Sequence, residues 1–144
     1  MKCPVLKYTV ARQFNELIKI EAWHANGRLA GKIWVSLDEP GVGTVTMGKT
    51  SPNLRRCGLG TQLYTRAAQE VCKEGRNLMS DWARTPAAEA FWRKQMRKRR
   101  ATCVPGRGSK LAYDDEAGFK HTGERWPCVG YKLKCPVTLL KGRR

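Results

Sequence analysis

Residues 55–60, Arg-Arg-Cys-Gly-Leu-Gly, set two guanidinium groups and two glycines directly ahead of a segment with helical periodicity. The first turn of an α-helix leaves backbone N–H groups without intrahelical partners and carries the positive end of the helix dipole. A strand, a glycine-interrupted turn and a helix start, in that order, therefore make an anion site, with phosphate as the usual occupant. Gly58 and Gly60 keep a Cβ from standing between backbone and ligand, and Arg55 and Arg56 add charge-assisted bonds. The spacing is not that of a Walker A loop, nor of the three-glycine dinucleotide fingerprint. A capped connection without a ligand is the plain structural alternative.

The elements that must position this turn are legible on both sides of it. In "ELIKIEAWHANGRLAGKIWVSL" Ile18, Ile20 and Ala22 alternate with Lys19, Glu21 and Trp23; Asn26-Gly27 follows, and Leu29–Leu37 resume with Ile33 and Val35 in register. Asn-Gly between two alternating runs predicts a hairpin with a type I′ turn. "GTVTMGKT" is a third strand leading into the turn. Leu63, Tyr64, Ala67, Ala68, Val71 and Cys72 then recur at helical spacing, which predicts a helix over 60–74 ended by Gly75. "RNLMSDW" offers a short strand. Thr85-Pro86 reads as a cap and a first-turn proline opening a second helix over 86–100. Residues 104–125, rich in glycine and polar groups, read as a long substrate-facing loop. "WPCVGYKLKCP" closes the fold as a last strand, whose exposed edge is a candidate homodimer contact.

The chain of 144 residues fits a single domain, 1–144. Lys and Arg number 28 against 12 Asp and Glu, a formal charge of +16, which points to a polyanionic or phosphorylated partner; a solvated basic face is the alternative. Six of the eight residues 93–100 are basic. The helix dipole accounts for part of that run, and Arg93, Lys94, Arg97, Lys98, Arg99 and Arg100 form a candidate nucleic-acid contact. No two of the six cysteines have the spacing of a zinc ribbon or redox motif, and no metal is expected. With neither a signal-like nor a membrane-length apolar run, the thiols are expected free and reduced in the cytoplasm, a Cys128–Cys135 bridge being the alternative.

Arg55-x-x-Gly58-x-Gly60 resembles the Q/R-x-x-G-x-G/A signature of the GNAT superfamily of acyl-CoA N-acyltransferases, and "TPAAEAFWRKQ" resembles that family's helix ending in an aromatic pair and a charged residue. The resemblance covers residues 16–100, more weakly the last strand. It implies an α/β (α+β) fold: a mixed, mostly antiparallel central sheet flanked by helices, with a shortened N-terminal helical region, since only about fifteen residues precede the hairpin. It also implies acetyl-CoA as cosubstrate and transfer of its acetyl group to a primary amine on a protein, a small molecule or an RNA-linked acceptor. The backbones of Gly48 and Thr50 would face the pantetheine, and Arg55, Arg56, Cys57, Gly58, Gly60 and Thr61 would surround the pyrophosphate. Thr85, Ala88 and Phe91 would line the far side, with Arg93 reaching the remaining phosphate.

Many relatives place a proton-donating tyrosine where this chain has Trp92, whose indole N–H is no proton-transfer acid near neutral pH. Tyr131 and Ser80 are the candidate acids, and Asp81 or Glu89 the candidate base. Cys57 suggests a ping-pong route as the alternative to direct attack. Asp114, Asp115 and Glu116 are candidates for attracting a cationic amine. The rival from another class is a basic nucleic-acid-binding protein with a GNAT-like fold and no catalysis.

Overall fold

The computed structural model describes residues 3–50, 54, 57–114 and 118–135, which group into two compact units. The first comprises the chain up to Leu78 together with Cys135; the second is Met79–Lys134.

In the first unit β1 (Lys7–Gln13), β2 (Leu17–Trp23), β3 (Leu29–Ser36) and β4 (Val42–Thr50) pair antiparallel in chain order. Helix α1 (Leu59–Cys72) packs against β2, β3 and β4. The alternation seen in the sequence is the burial pattern. Ile18, Ile20, Ala22, Ile33, Val35 and Val45 point to one face, where they meet Leu59, Leu63, Ala67 and Val71 of α1. Each Ile, Val or Leu among them, fully buried, contributes about 1.5–3 kcal/mol. Gly43 makes this packing close: a Cβ there would lie 2.6 Å from Val71 Cγ1. Past α1, Gly75 is left-handed (φ 73°) and Arg76 N–H bonds Val71 C=O, a Schellman stop. The Arg76 guanidinium then binds the carbonyls of Leu37, Glu39 and Val42, tying the β3–β4 turn to the helix end.

The hairpin turn differs from the type I′ form that Asn26-Gly27 suggests. His24 N–H bonds Arg28 C=O, Gly27 N–H bonds His24 C=O, and Gly27 alone in the turn has positive φ (85°). Asn26 is not among the residues with positive φ, and its Oδ1 accepts the Arg28 N–H. The connection is a longer one, closed by a left-handed glycine.

In the second unit, which β5 (Asn77–Met79) enters at Met79, β6 (Ala83–Arg84) pairs parallel with β7 (Ala101–Asp114), and β7 pairs antiparallel with β8 (Gly118–Leu133). Met79 lies opposite Lys132. Helix α2 (Pro86–Arg97) packs mainly on β7. Thr85 caps it, its Oγ1 accepting the Ala88 N–H at 3.3 Å, and Pro86 follows at the first helical position.

The expected helix-flanked α/β architecture is overturned. Among the described residues the chain is mostly β, eight strands with two helices. Two stretches make the difference. The N-terminal segment forms β1 in place of any helical region, and residues 104–125, expected as a loop, run within β7 and β8 apart from 115–117, which lie outside the described residues. Pro105, Gly106 and Gly108 gave that stretch a loop composition. The ladder absorbs them through register shifts around Pro105 and Gly108, and Gly108 is required there, since a Cβ would sit 2.6 Å from Cys128 O.

The expectation of free thiols also fails. Cys3–Cys57, Cys72–Cys135 and Cys103–Cys128 are bonded, with Cα–Cα distances of 5.6, 5.8 and 5.7 Å, so neither Cys128 nor Cys135 pairs with the other. No described helix is long and apolar enough to cross a membrane.

Candidate functional site

Strand β4 delivers the chain to the glycine turn. A bulge sets it up: Val35 opposes Val45 but Trp34 opposes Met47, so one extra residue is inserted shortly before Gly48. Such bulges re-aim a strand locally. Gly48 then lies opposite Ile33 and Thr50 opposite Gly31. Nothing crowds Gly48, since a Cβ there would meet only Tyr64 Oη, at 3.9 Å.

Cys57, bonded to Cys3, anchors the residue before Gly58. Gly58 is left-handed (φ 72°, ψ 17°) at the N-cap of α1, and no side chain caps the helix there. Its carbonyl accepts the Gln62 N–H at 3.0 Å, starting the helical ladder. No acidic residue stands in the first turn to offset the dipole. A Cβ on Gly60 would meet nothing within 4 Å. The Thr61 carbonyl accepts the Thr65 hydroxyl at 2.7 Å. The turn so built is bare backbone at the positive end of a helix. Arg55 and Arg56, expected to supply its guanidinium charge, lie outside the described residues.

The other expected cofactor residues belong to the second unit. Thr85 is committed to capping α2 and Ala88 donates the cap bond. Phe91 is half-buried, edge-on to Trp92 at 5.4 Å between centroids. Arg93 bonds Glu89 through Nε at 2.8 Å and lies over the Trp126 ring. Arg97, Lys98, Arg99 and Arg100 are exposed.

The candidate acids and bases come together in a buried cluster. Tyr131 is fully buried and donates its hydroxyl to Glu89 Oε2 at 2.7 Å, while Arg84 Nε bonds Glu89 Oε1 at 2.7 Å. Burial, then the bond to Glu89, pushes the Tyr131 phenol above its ordinary value. Ser80 Oγ accepts the Tyr131 backbone N–H at 2.8 Å. Trp92 stacks on Tyr131, centroids 6.1 Å apart. With its proton held by a carboxylate and no exposed surface, Tyr131 is a packing residue. Glu89 already accepts from three donors and is 2% exposed, which commits it to the core and keeps it from an incoming amine. Asp81 is half-buried; its Oδ1 accepts the Trp82 N–H at 2.7 Å, and burial raises its carboxyl above the usual range against the pull of Arg84 and His121.

Two groups escape any reading of linear spacing. Arg84, 2% exposed, closes the buried cluster by donating also to the carbonyls of Asp81, Val129 and Cys128. Ser109 Oγ and His121 Nδ1 lie 2.6 Å apart, brought together only by hairpin pairing. Comparison of the chain with protein-family models, with curated proteins and with solved structures finds no match.

Proposed function

We propose that the protein is an N-acetyltransferase that binds acetyl-coenzyme A at the start of α1 and passes its acetyl group directly to a primary amine. The observation that carries this is the pair Gly58 and Gly60. Gly58 is left-handed with no side chain capping the turn, and Gly60 faces open space. Among the described residues nothing requires glycine at position 60, where it costs the helix about 0.5–1 kcal/mol relative to alanine. A diphosphate seated on the first-turn N–H groups supplies the requirement.

In this reading the neutral amine attacks the thioester carbonyl. The C–N bond forms, the tetrahedral oxyanion collapses, and the C–S bond breaks. The nitrogen loses a proton to water and the departing thiolate gains one. Positioning and N–H donors for the oxyanion do most of the work. Cys57, held in a disulfide, has no thiolate to accept an acetyl group, which favours direct transfer over the ping-pong route. Tyr131 and Trp92 are spent in the core, which leaves water as the proton carrier.

Isothermal titration with coenzyme A tests the proposal. Wild-type protein is expected to bind saturably, and Gly60→Val to bind about tenfold more weakly or worse. Gly60→Ala is expected to lose affinity while gaining up to about 1 kcal/mol of stability in thermal unfolding. Wild-type protein that takes up no coenzyme A, or Gly60→Val that binds it equally well, ends the proposal. Thiol release in the presence of a lysine peptide, a polyamine or an aminoacylated RNA then identifies the acceptor class.

A further inference from the structure

The β7–β8 hairpin carries a row of rings on one face. Phe119 and His121 alternate along β8 and so share a side; Tyr113 lies opposite Phe119 and Leu111 opposite His121. Tyr113 and Phe119 meet edge to face at 5.3 Å, and Trp82 stacks on His121 at 5.4 Å with planes 22° apart. Trp82, Tyr113 and Phe119 are 48%, 56% and 46% exposed. Three large rings half in water, two on this strand pair and Trp82 stacked beside it, are more than scattered surface residues.

Beside the Trp82–His121 stack is a pocket of about 190 Å³ lined by Trp82, Ser109, His121, Gly123 and Arg125. Ser109, 4% exposed, holds His121 Nδ1 and so fixes the imidazole plane against the indole. A Ser109 hydroxyl donating to Nδ1 leaves Nε2 to carry the ring proton as a donor. The surrounding charge is positive. Arg107 and Arg125 are exposed, and among the described residues neither has an acidic partner. Of the described acidic side chains nearby, Glu124 is taken by Lys110 at 2.7 Å and Asp81 is turned to the Trp82 N–H.

We infer that this hairpin face binds single-stranded nucleic acid, with one base in the Trp82–His121–Arg125 pocket, further bases on Phe119 and Tyr113, and phosphates on Arg107 and Arg125. The inference stands apart from acetyl transfer, because every residue it uses lies outside the glycine turn. Rings on a basic surface suit single strands, whose base faces are open, and not a duplex, which hides them. The net charge of +16 supplies the long-range attraction.

The test is fluorescence anisotropy of the 144-residue chain, disulfides intact, with a labelled twelve-nucleotide RNA, the DNA of the same sequence, and the matching duplexes. Single strands of RNA or DNA are expected to bind more tightly than either duplex. Trp82→Ala is expected to cost roughly tenfold in affinity, and Arg125→Ala to lower the slope of log affinity on log salt by about 0.7. Phe119→Ala serves as a second variant should Trp82→Ala unfold, as judged by circular dichroism. An Arg97→Ala/Lys98→Ala/Arg100→Ala variant at the end of α2 is expected to lose less than Trp82→Ala. The inference is overturned by wild-type protein that binds no single strand, by ring variants that bind like wild type, by a preference for duplex, or by full displacement of the oligonucleotide by polyglutamate at equal charge.

Discussion

Glu89 receives three donors at once, from Arg84, Arg93 and Tyr131, on a side chain that is 2% exposed. A carboxylate so placed holds its partners in register; removing its charge strands the buried Arg84 guanidinium. Glu89→Gln is expected to cost about 3–5 kcal/mol in urea unfolding. Tyr131→Phe, which removes one donor and leaves both guanidinium partners, is expected to cost about 2 kcal/mol and to leave the rate of the proposed acetyl transfer little changed. A large rate loss in a stable Tyr131→Phe would return that residue to the chemistry. Asp81 makes a pH prediction. Its folded carboxyl lies above its unfolded value, so the folded state binds the extra proton and stability falls as pH rises from about 3.8 through the raised value. Asp81→Asn keeps an oxygen for the Trp82 N–H. The difference between wild-type and variant stability curves should therefore open across that acid window, with the variant the more stable above it.

At the scale of elements, the two helices end in the same way with unequal residues. Gly75 takes the left-handed position after α1, and Arg99 takes it after α2 with φ 60°, where Arg100 N–H bonds Gln95 C=O. A side chain in that conformation costs about 1 kcal/mol or more. Arg99→Gly is therefore expected to raise the thermal midpoint and stability by about 1 kcal/mol, measured by calorimetry, despite removing a cation from the end of a helix. The same arginine explains why periodicity alone carried the second helix to residue 100: without a glycine, nothing local marks the stop at Arg97. The first helix, with Gly75 in place, was bounded correctly to within a turn.

For the whole molecule, three disulfides add to the burial of the core by closing loops of the chain. Cys72 and Cys135 are 63 residues apart and Cys103 and Cys128 are 25 apart. Closing such loops is worth about 4 and about 3.5 kcal/mol respectively in the chain-entropy account. Reduction under native conditions is expected to lower the unfolding free energy measured in urea by that order, and peptide mapping without reductant is expected to recover the three pairs described. Recovery of free thiols in the stable folded protein would contradict the pairing.

The sequence by itself determined the alternating strands β2, β3 and β4, both helices and the order strand, glycine turn, helix, because burial periodicity and glycine's freedom at positive φ act over a few residues. It determined the charge. It did not determine that residues 104–125 extend as paired strands, since Pro105, Gly106 and Gly108 are tolerated only through a register that a distant strand provides. Six cysteines admit fifteen pairings, and spacing favours none of them. Ser109 meets His121, and Arg84 meets Glu89 and Cys128, only once the hairpin has closed and α2 has packed. Contacts of that kind are chosen by the energy of the assembled chain, which no local stretch contains.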